Sequence, residues 1–128
     1  MNRVKIYSRK KLCDDKGWFL KVIDGQESDI PCHTGEVYVI CGEIGESRAG
    51  HYHPEANEWF TVIQGKAELL LTDTVTKEQR FFVMDADNPR TIFVPNYIAH
   101  SVRNIGTIPF VLIAYSDMLY NPRDTVKY

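Results

Sequence analysis

Gly45-Glu46-Ser47-Arg48-Ala49-Gly50-His51-Tyr52-His53-Pro54-Glu55-Ala56-Asn57-Glu58-Trp59-Phe60-Thr61-Val62-Ile63-Gln64-Gly65 is the stretch on which the fold turns. Residues two apart on a strand share a face, so His51 and His53 place two imidazoles side by side, about 7 Å apart at the backbone for a rise of roughly 3.3 Å per residue. A tight turn at Pro54 to Asn57 is expected to bring Glu58 back on the adjacent strand. Three titratable groups then converge on one interior face. Such a cluster is costly to bury unless it binds something.

The chain around this stretch has 128 residues, 44% of them apolar, enough to build the core of one domain spanning residues 1–128. Its 15 basic and 17 acidic residues give a net charge of −2, which argues against nucleic acid or an anionic membrane as the main partner. No apolar run approaches the roughly 20 residues of a membrane span. The opening Met1-Asn2-Arg3-Val4-Lys5-Ile6-Tyr7 lacks the apolar segment of a signal peptide. Cys13, Cys32 and Cys41 form no CxxC pair and read as free thiols, so a cytoplasmic location is expected.

Short strands are predicted along most of the chain: Val4 to Tyr7, Trp18 to Ile23, Glu36 to Cys41, Glu58 to Ile63, Ala67 to Leu71, Phe81 to Met84, Thr91 to Val94, Ser101 to Val102 and Pro109 to Tyr115. Gln64-Gly65-Lys66 reads as a hairpin signal. Asp24 to Pro31 reads as loop, as do Asp85-Ala86-Asp87-Asn88-Pro89 and Asn104-Ile105-Gly106-Thr107. Many evenly spaced strands without a sustained helical period indicate an all-β antiparallel sandwich or barrel.

A second constellation, Pro95-Asn96-Tyr97-Ile98-Ala99-His100 leading to Asn104, places another histidine where a later strand pair returns to the interior. Together the two stretches resemble the cupin superfamily. Gly45, His51, His53, Glu58 and Gly65 meet every position of its first motif, G-x(5)-H-x-H-x(4)-E-x(6)-G. Pro95, His100 and Asn104 match its second, whereas Pro89 and Tyr97 stand where glycines are usual. The resemblance implies a jelly-roll barrel (an antiparallel double-stranded β-helix) of about six to eight strands. It also implies that His51, His53, Glu58 and His100 line the barrel mouth, and that subunits pair as a homodimer.

Local patterns resemble the nucleotide-sugar branch of that superfamily. Asp15-Lys16-Gly17-Trp18-Phe19-Leu20 is similar to the opening of keto-sugar isomerases and epimerases, with Lys16 in place of an arginine. Arg48-Ala49-Gly50-His51-Tyr52-His53 is similar to their arginine–glycine–x–histidine–x–histidine core, with Ala49 inserted. Ala114 to Tyr120 and Asn121-Pro122-Arg123-Asp124 resemble the segment that closes their active sites. The C-terminal cupin domain of bifunctional capsular-polysaccharide enzymes, which carries zinc, is also similar. The resemblance implies proton transfer next to the ketone of a dTDP- or UDP-linked 4-keto-6-deoxyhexose. His51 and His53 are then the expected proton carriers and Tyr115 an acid or oxyanion donor. Arg48 would pair with the diphosphate, and Trp59, Tyr97 and Trp18 would stack on base or sugar. His33 reads as a surface residue.

The four motif side chains support three readings. Three imidazoles and a carboxylate suit one divalent metal: zinc, iron, manganese or nickel. Without a metal, the histidines would move protons themselves. In the third reading they form a polar cluster in a barrel that only binds a sugar. Metal-free keto-sugar isomerases often lack the full set, which this chain keeps; a bound metal would occupy His51 and His53 as ligands and leave proton transfer to another group. A metal-dependent oxygenase acting on a small substrate is the alternative enzyme class.

Overall fold

The computed structural model describes residues 12–23, 26 and 35–128. In chain order its strands are β1 (Leu12–Asp14), β2 (Gly17–Ile23), β3 (Glu36–Gly42), β4 (Ser47–Tyr52), β5 (Glu58–Gln64), β6 (Lys66–Asp73), β7 (Gln79–Asp85), β8 (Thr91–Val94), β9 (Ile98–Asn104), β10 (Phe110–Ser116) and β11 (Val126–Lys127), with a 3-10 turn at Pro122–Asp124. They form two antiparallel sheets, one of six strands in the order β1-β2-β3-β10-β5-β8 and one of five in the order β11-β4-β9-β6-β7. The expected all-β class holds, with more strands than the six to eight anticipated. The predicted strand Val4 to Tyr7, together with Cys32 and His33, lies outside the described residues.

Period-two alternation decides what faces inward. On β10, Phe110, Leu112, Ala114 and Ser116 are buried, while Val111, Ile113 and Tyr115 take the opposite face. Phe60 and Val62 of β5, Leu69 of β6 and Met84 of β7 complete the core between the sheets. Burying each large side chain stabilises the fold by about 1.5–3 kcal/mol.

Two local expectations change. Gln64-Gly65-Lys66 does not close a hairpin, because β5 pairs with β8 and β10 while β6 pairs with β7 and β9. Gly65, at φ +76°, instead carries the chain from one sheet to the other. A Cβ there would sit 3.1 Å from both Phe110 Cα and the Pro109 carbonyl oxygen, so the corner requires glycine. Likewise Pro54 to Asn57 does not return the chain to an adjacent strand. β4 and β5 lie in different sheets, so Glu58 meets the histidines from across the sandwich.

Candidate active site and metal centre

His51 on β4 and His100 on β9 are direct cross-strand partners. His53 follows the end of β4, and Glu58 opens β5 on the facing sheet. The ring centroids lie 4.9 Å apart for His51–His53 and His51–His100, and 5.5 Å apart for His53–His100. One nitrogen from each ring falls within 4.8 Å of the others. Glu58 Oε1 approaches His53 Nε2 to 2.8 Å and His100 Nε2 to 3.6 Å. The sandwich therefore brings together all four side chains expected to hold a metal.

The backbone selects which nitrogen faces inward. His53 Nδ1 lies 2.9 Å from the Asp124 carbonyl oxygen, and His100 Nδ1 lies 3.2 Å from that of Ile98. A carbonyl only accepts, so each Nδ1 carries the proton and each neutral ring turns the lone pair of Nε2 toward Glu58. Glu58 is buried, and its Oε1 has no aligned hydrogen bond despite these close approaches. Either a proton on His53 Nε2 or a metal ion held among these groups would satisfy Glu58 Oε1. Three imidazoles and a carboxylate are the donor set that first-row divalent metals take, so the residues fit a metal.

The electrostatics agree. Burial pushes His100 down to about 4, against the partial support of Glu58. Burial, reinforced by repulsion from His53, also lowers His51. Burial acts downward on His53 too, but contact with Glu58 and the Asp124 carbonyl outweighs it and the net shift is upward. For Glu58 the raising effect of burial is outweighed by His53, His100 and the Tyr38 hydroxyl, which leaves its carboxyl below the usual range. Tyr38 donates its hydroxyl proton to Glu58 Oε2. Burial and then the Glu58 charge raise its pKa well above the ordinary phenol value, so it remains a donor.

These groups line a cavity of about 200 Å³. Arg48 is also in its wall, and an irregularity in β4 puts it there. The register of β4 against β9 shifts between Ala49 and His51, with Ala49 at φ +72° and Gly50 at φ +89°. In a regular strand Arg48 and His51 would face opposite ways; the bulge made by the extra residue turns both into the cavity. Arg48 Nη1 reaches Asp14 Oδ1 at 3.4 Å.

Four expected site residues are placed elsewhere, the first being Trp18, whose neighbour Phe19 lines the cavity instead. Tyr115 and Trp59 are cross-strand partners on the outer face of the six-stranded sheet, with ring centroids 5.5 Å apart and Phe93 packed on Trp59. Strand parity rules them out of the cavity, because Ser116 and Glu58 beside them point inward. The Tyr97 side chain is exposed and stacked on Tyr52. Its backbone matters more: at φ +63° it adopts the left-handed conformation for which the motif usually supplies glycine. Its N–H donates to the His53 carbonyl, and Thr74 donates to its own carbonyl. Asn104 is buried away from the histidines and ties Gly42, Ile108 and Gly106 together.

The sequence reading missed Tyr38, Glu36 and Asp124. The first two alternate with Ile40 along β3 and line the cavity with it. Period two on a strand already recognised would have found them. Asp124 is buried, and its carboxylate accepts from the N–H groups of Glu55 at 2.7 Å and Ala56 at 3.0 Å. It thereby fixes the crossover between His53 and Glu58, while β11 pairs with His51 and Tyr52 of β4.

Comparison with known proteins adds five findings. The family described as "Polysaccharide biosynthesis C-terminal domain" matches residues 12–128. The spore coat polysaccharide biosynthesis protein SpsL of Bacillus subtilis (strain 168) is 30% identical over 124 residues, covering 93% of this chain and 82% of that protein. Glucose-6-phosphate isomerase of Thermococcus litoralis is 28% identical over 132 residues, covering 84% of this chain and 67% of that one. Among solved structures, the capsular polysaccharide assembling protein CapF of Staphylococcus aureus superposes with a TM-score of 0.84 at 23% identity. The match spans 95% of this chain but only 33% of CapF. A dTDP sugar isomerase from Desulfovibrio desulfuricans G20 superposes with a TM-score of 0.71 at 15% identity, over 94% of this chain and 80% of that one.

Proposed function

The chain belongs to the cupin-fold polysaccharide biosynthesis C-terminal domain family, and from that premise we propose that it is a metal-dependent isomerase of a nucleotide-linked 4-keto-6-deoxyhexose. The observation that carries this reading is the convergence of His51, His53, His100 and Glu58 at the wall of one small cavity that also takes in Arg48. Sugar isomerisation is the activity named for the Thermococcus relative and for the Desulfovibrio structure.

His51, His53 and His100 would hold a divalent ion through imidazole nitrogens, and Glu58 through Oε1. Bound there, the ion supplies a Lewis acid that polarises the ketone and acidifies the neighbouring C–H. Tyr38 donates to Glu58 Oε2, which keeps that carboxylate ionised and oriented. The Arg48 guanidinium suits the oxygens of a diphosphate. Phe60, Leu112 and Val102 give the remaining wall an apolar surface that keeps water from the reacting carbons. A cavity of about 200 Å³ suits one sugar ring, leaving the nucleoside outside the mouth.

The test is proton–deuterium exchange on dTDP-4-keto-6-deoxyglucose in heavy water. Deuterium entering at C3 or C5 in the presence of the protein supports the assignment. A substrate recovered without deuterium, from protein carrying its metal, refutes it.

A further inference from the structure

We infer that Glu36 is the proton-transferring carboxylate of this cavity, taking the hydrogen from the carbon beside the substrate ketone. The inference rests on the isomerase reading above and supplies the base that it lacks. With His51, His53, His100 and Glu58 committed to a metal, none of them is free to accept a proton. The Tyr38 hydroxyl is engaged by Glu58, and Arg48 is permanently charged. Among the described residues lining the cavity, the carboxylate left over is Glu36.

Its placement is specific. Glu36 opens β3 with its side chain inward and is 4% exposed. Its Oε2 has no hydrogen bond; Lys21 Nζ lies 3.3 Å away, and that ammonium also sits over the ring of Tyr120. Lys21 is its ion-pair partner, and a ligand entering the cavity can add the aligned hydrogen bond that this oxygen lacks. Strand register fixes its relation to the metal cluster. Ser116 of β10 is the cross-strand partner of Glu36 on one side and of Glu58 on the other. The three inward residues therefore stand in one row. At roughly 4.8 Å between strands, the backbones of Glu36 and Glu58 are about 10 Å apart. That spacing leaves room for one sugar ring between the two carboxylates. The Ser116 hydroxyl between them donates to the Met118 carbonyl at 3.0 Å.

The step conserves atoms and charge. The C–H bond next to the ketone breaks, the proton passes to Glu36 Oε2, and the electron pair moves into the carbonyl to give an enediolate. The Glu36 carboxyl exchanges its proton with solvent and then protonates the adjacent carbon, while a hydroxyl proton moves between the two oxygens. No co-reactant is needed. A single base on one side of the ring performs ketone migration. Inversion at carbon would need an acid on the opposite face as well.

The experiment compares the zinc-loaded wild type with Glu36→Gln and Glu36→Asp. Zinc content, binding of dTDP and turnover of dTDP-4-keto-6-deoxyglucose in heavy water are measured for each. Glu36→Gln is expected to keep its zinc and its affinity for dTDP while kcat falls by about 10²–10⁴-fold. Glu36→Asp should recover part of that loss. Wild-type kcat in Glu36→Gln, or a defect confined to KM, overturns the role of Glu36 and leaves the isomerase reading standing. Absence of exchange by zinc-loaded wild type overturns both. Should Glu36→Gln fail to fold, Glu36→Asp decides: its kcat must drop at unchanged zinc content, and wild-type kcat overturns the inference.

Discussion

His53 and Asp124 are in direct contact, although 71 positions separate them. The Asp124 carbonyl takes the Nδ1 proton of His53 at 2.9 Å, and the Asp124 carboxylate holds the backbone of Glu55 and Ala56 just beyond it. The C-terminal segment thus sets both the tautomer of one expected ligand and the path of the chain to the next, Glu58.

Replacing Asp124 by alanine leaves two N–H groups in the crossover without their acceptor. Each such group costs about 1–3 kcal/mol where water cannot replace it. Urea unfolding should therefore show a loss of that order. Zinc affinity, followed by competition with a chelating dye, should fall by about 10–100-fold, the usual effect of disturbing the group that orients a ligand. An unchanged affinity would detach the C-terminal segment from the site.

His100→Gln removes a ligand rather than its support. Its zinc affinity should fall further than that of Asp124→Ala, beyond the roughly 100-fold limit of an orienting change. Because His100 is buried against Phe60, near-UV circular dichroism should confirm that the variant keeps its packing. Equal zinc affinity in His100→Gln and wild type would remove His100 from the ligand set.

Acid should destabilise the protein stripped of metal. His100 titrates at about 4 in the fold against an ordinary value of 6.5. Between those values the unfolded chain binds a proton that the folded chain refuses, so the His100 contribution falls as pH drops from 6.5 to 4; below that the depressed Glu58 carboxyl continues the loss. The drop is about 3 kcal/mol from His100. The lowered His51 acts in the same direction, and the raised His53 offsets part of it. Urea midpoints measured across that window check the sign. Midpoints that rise on acidification would contradict it.

Tyr115→Phe and Trp59→Phe should both leave turnover within about two-fold of wild type, since surface changes away from the site cost little. These residues pack on the outer face of the sheet. Arg48→Ala should instead raise KM with little change in kcat. Deleting Ala49 leaves Arg48 and His51 two apart on a regular strand and so on a common face, and KM should stay near the wild-type value. Wild-type KM in Arg48→Ala would place the phosphate groups elsewhere.

The convergence of His51, His53, Glu58 and His100 was legible because it is written locally: His51 and His53 share strand parity, and Glu58 and His100 stand at fixed distances within short motifs. What joins them was not. Whether Gly65 closes a hairpin or turns a corner between sheets depends on partners some 45 residues away, such as Phe110. Tyr115 and Trp59 take the outer face against the expectation from their aromatic chemistry, because Glu58 and Ser116 next to them fix the inward face by strand parity. In the sequence Ala49 stands only as an inserted residue, and it is the one whose bulge turns Arg48 inward. Tyr97 in the left-handed conformation shows how a departure from a glycine motif is absorbed: hydrogen bonds to His53 and Thr74 hold the backbone that glycine would adopt freely.

Everything said of the cavity depends on His51, His53, His100 and Glu58 binding one metal ion together. The most direct measurement is the metal content of protein purified without chelators, determined by mass spectrometry and followed by zinc titration of the stripped chain. One tightly held divalent ion per chain, lost in Glu58→Gln, is the predicted result. A stripped wild type that takes up no zinc, cobalt, manganese, nickel or iron would contradict it and return His51 and His53 to the role of free proton carriers.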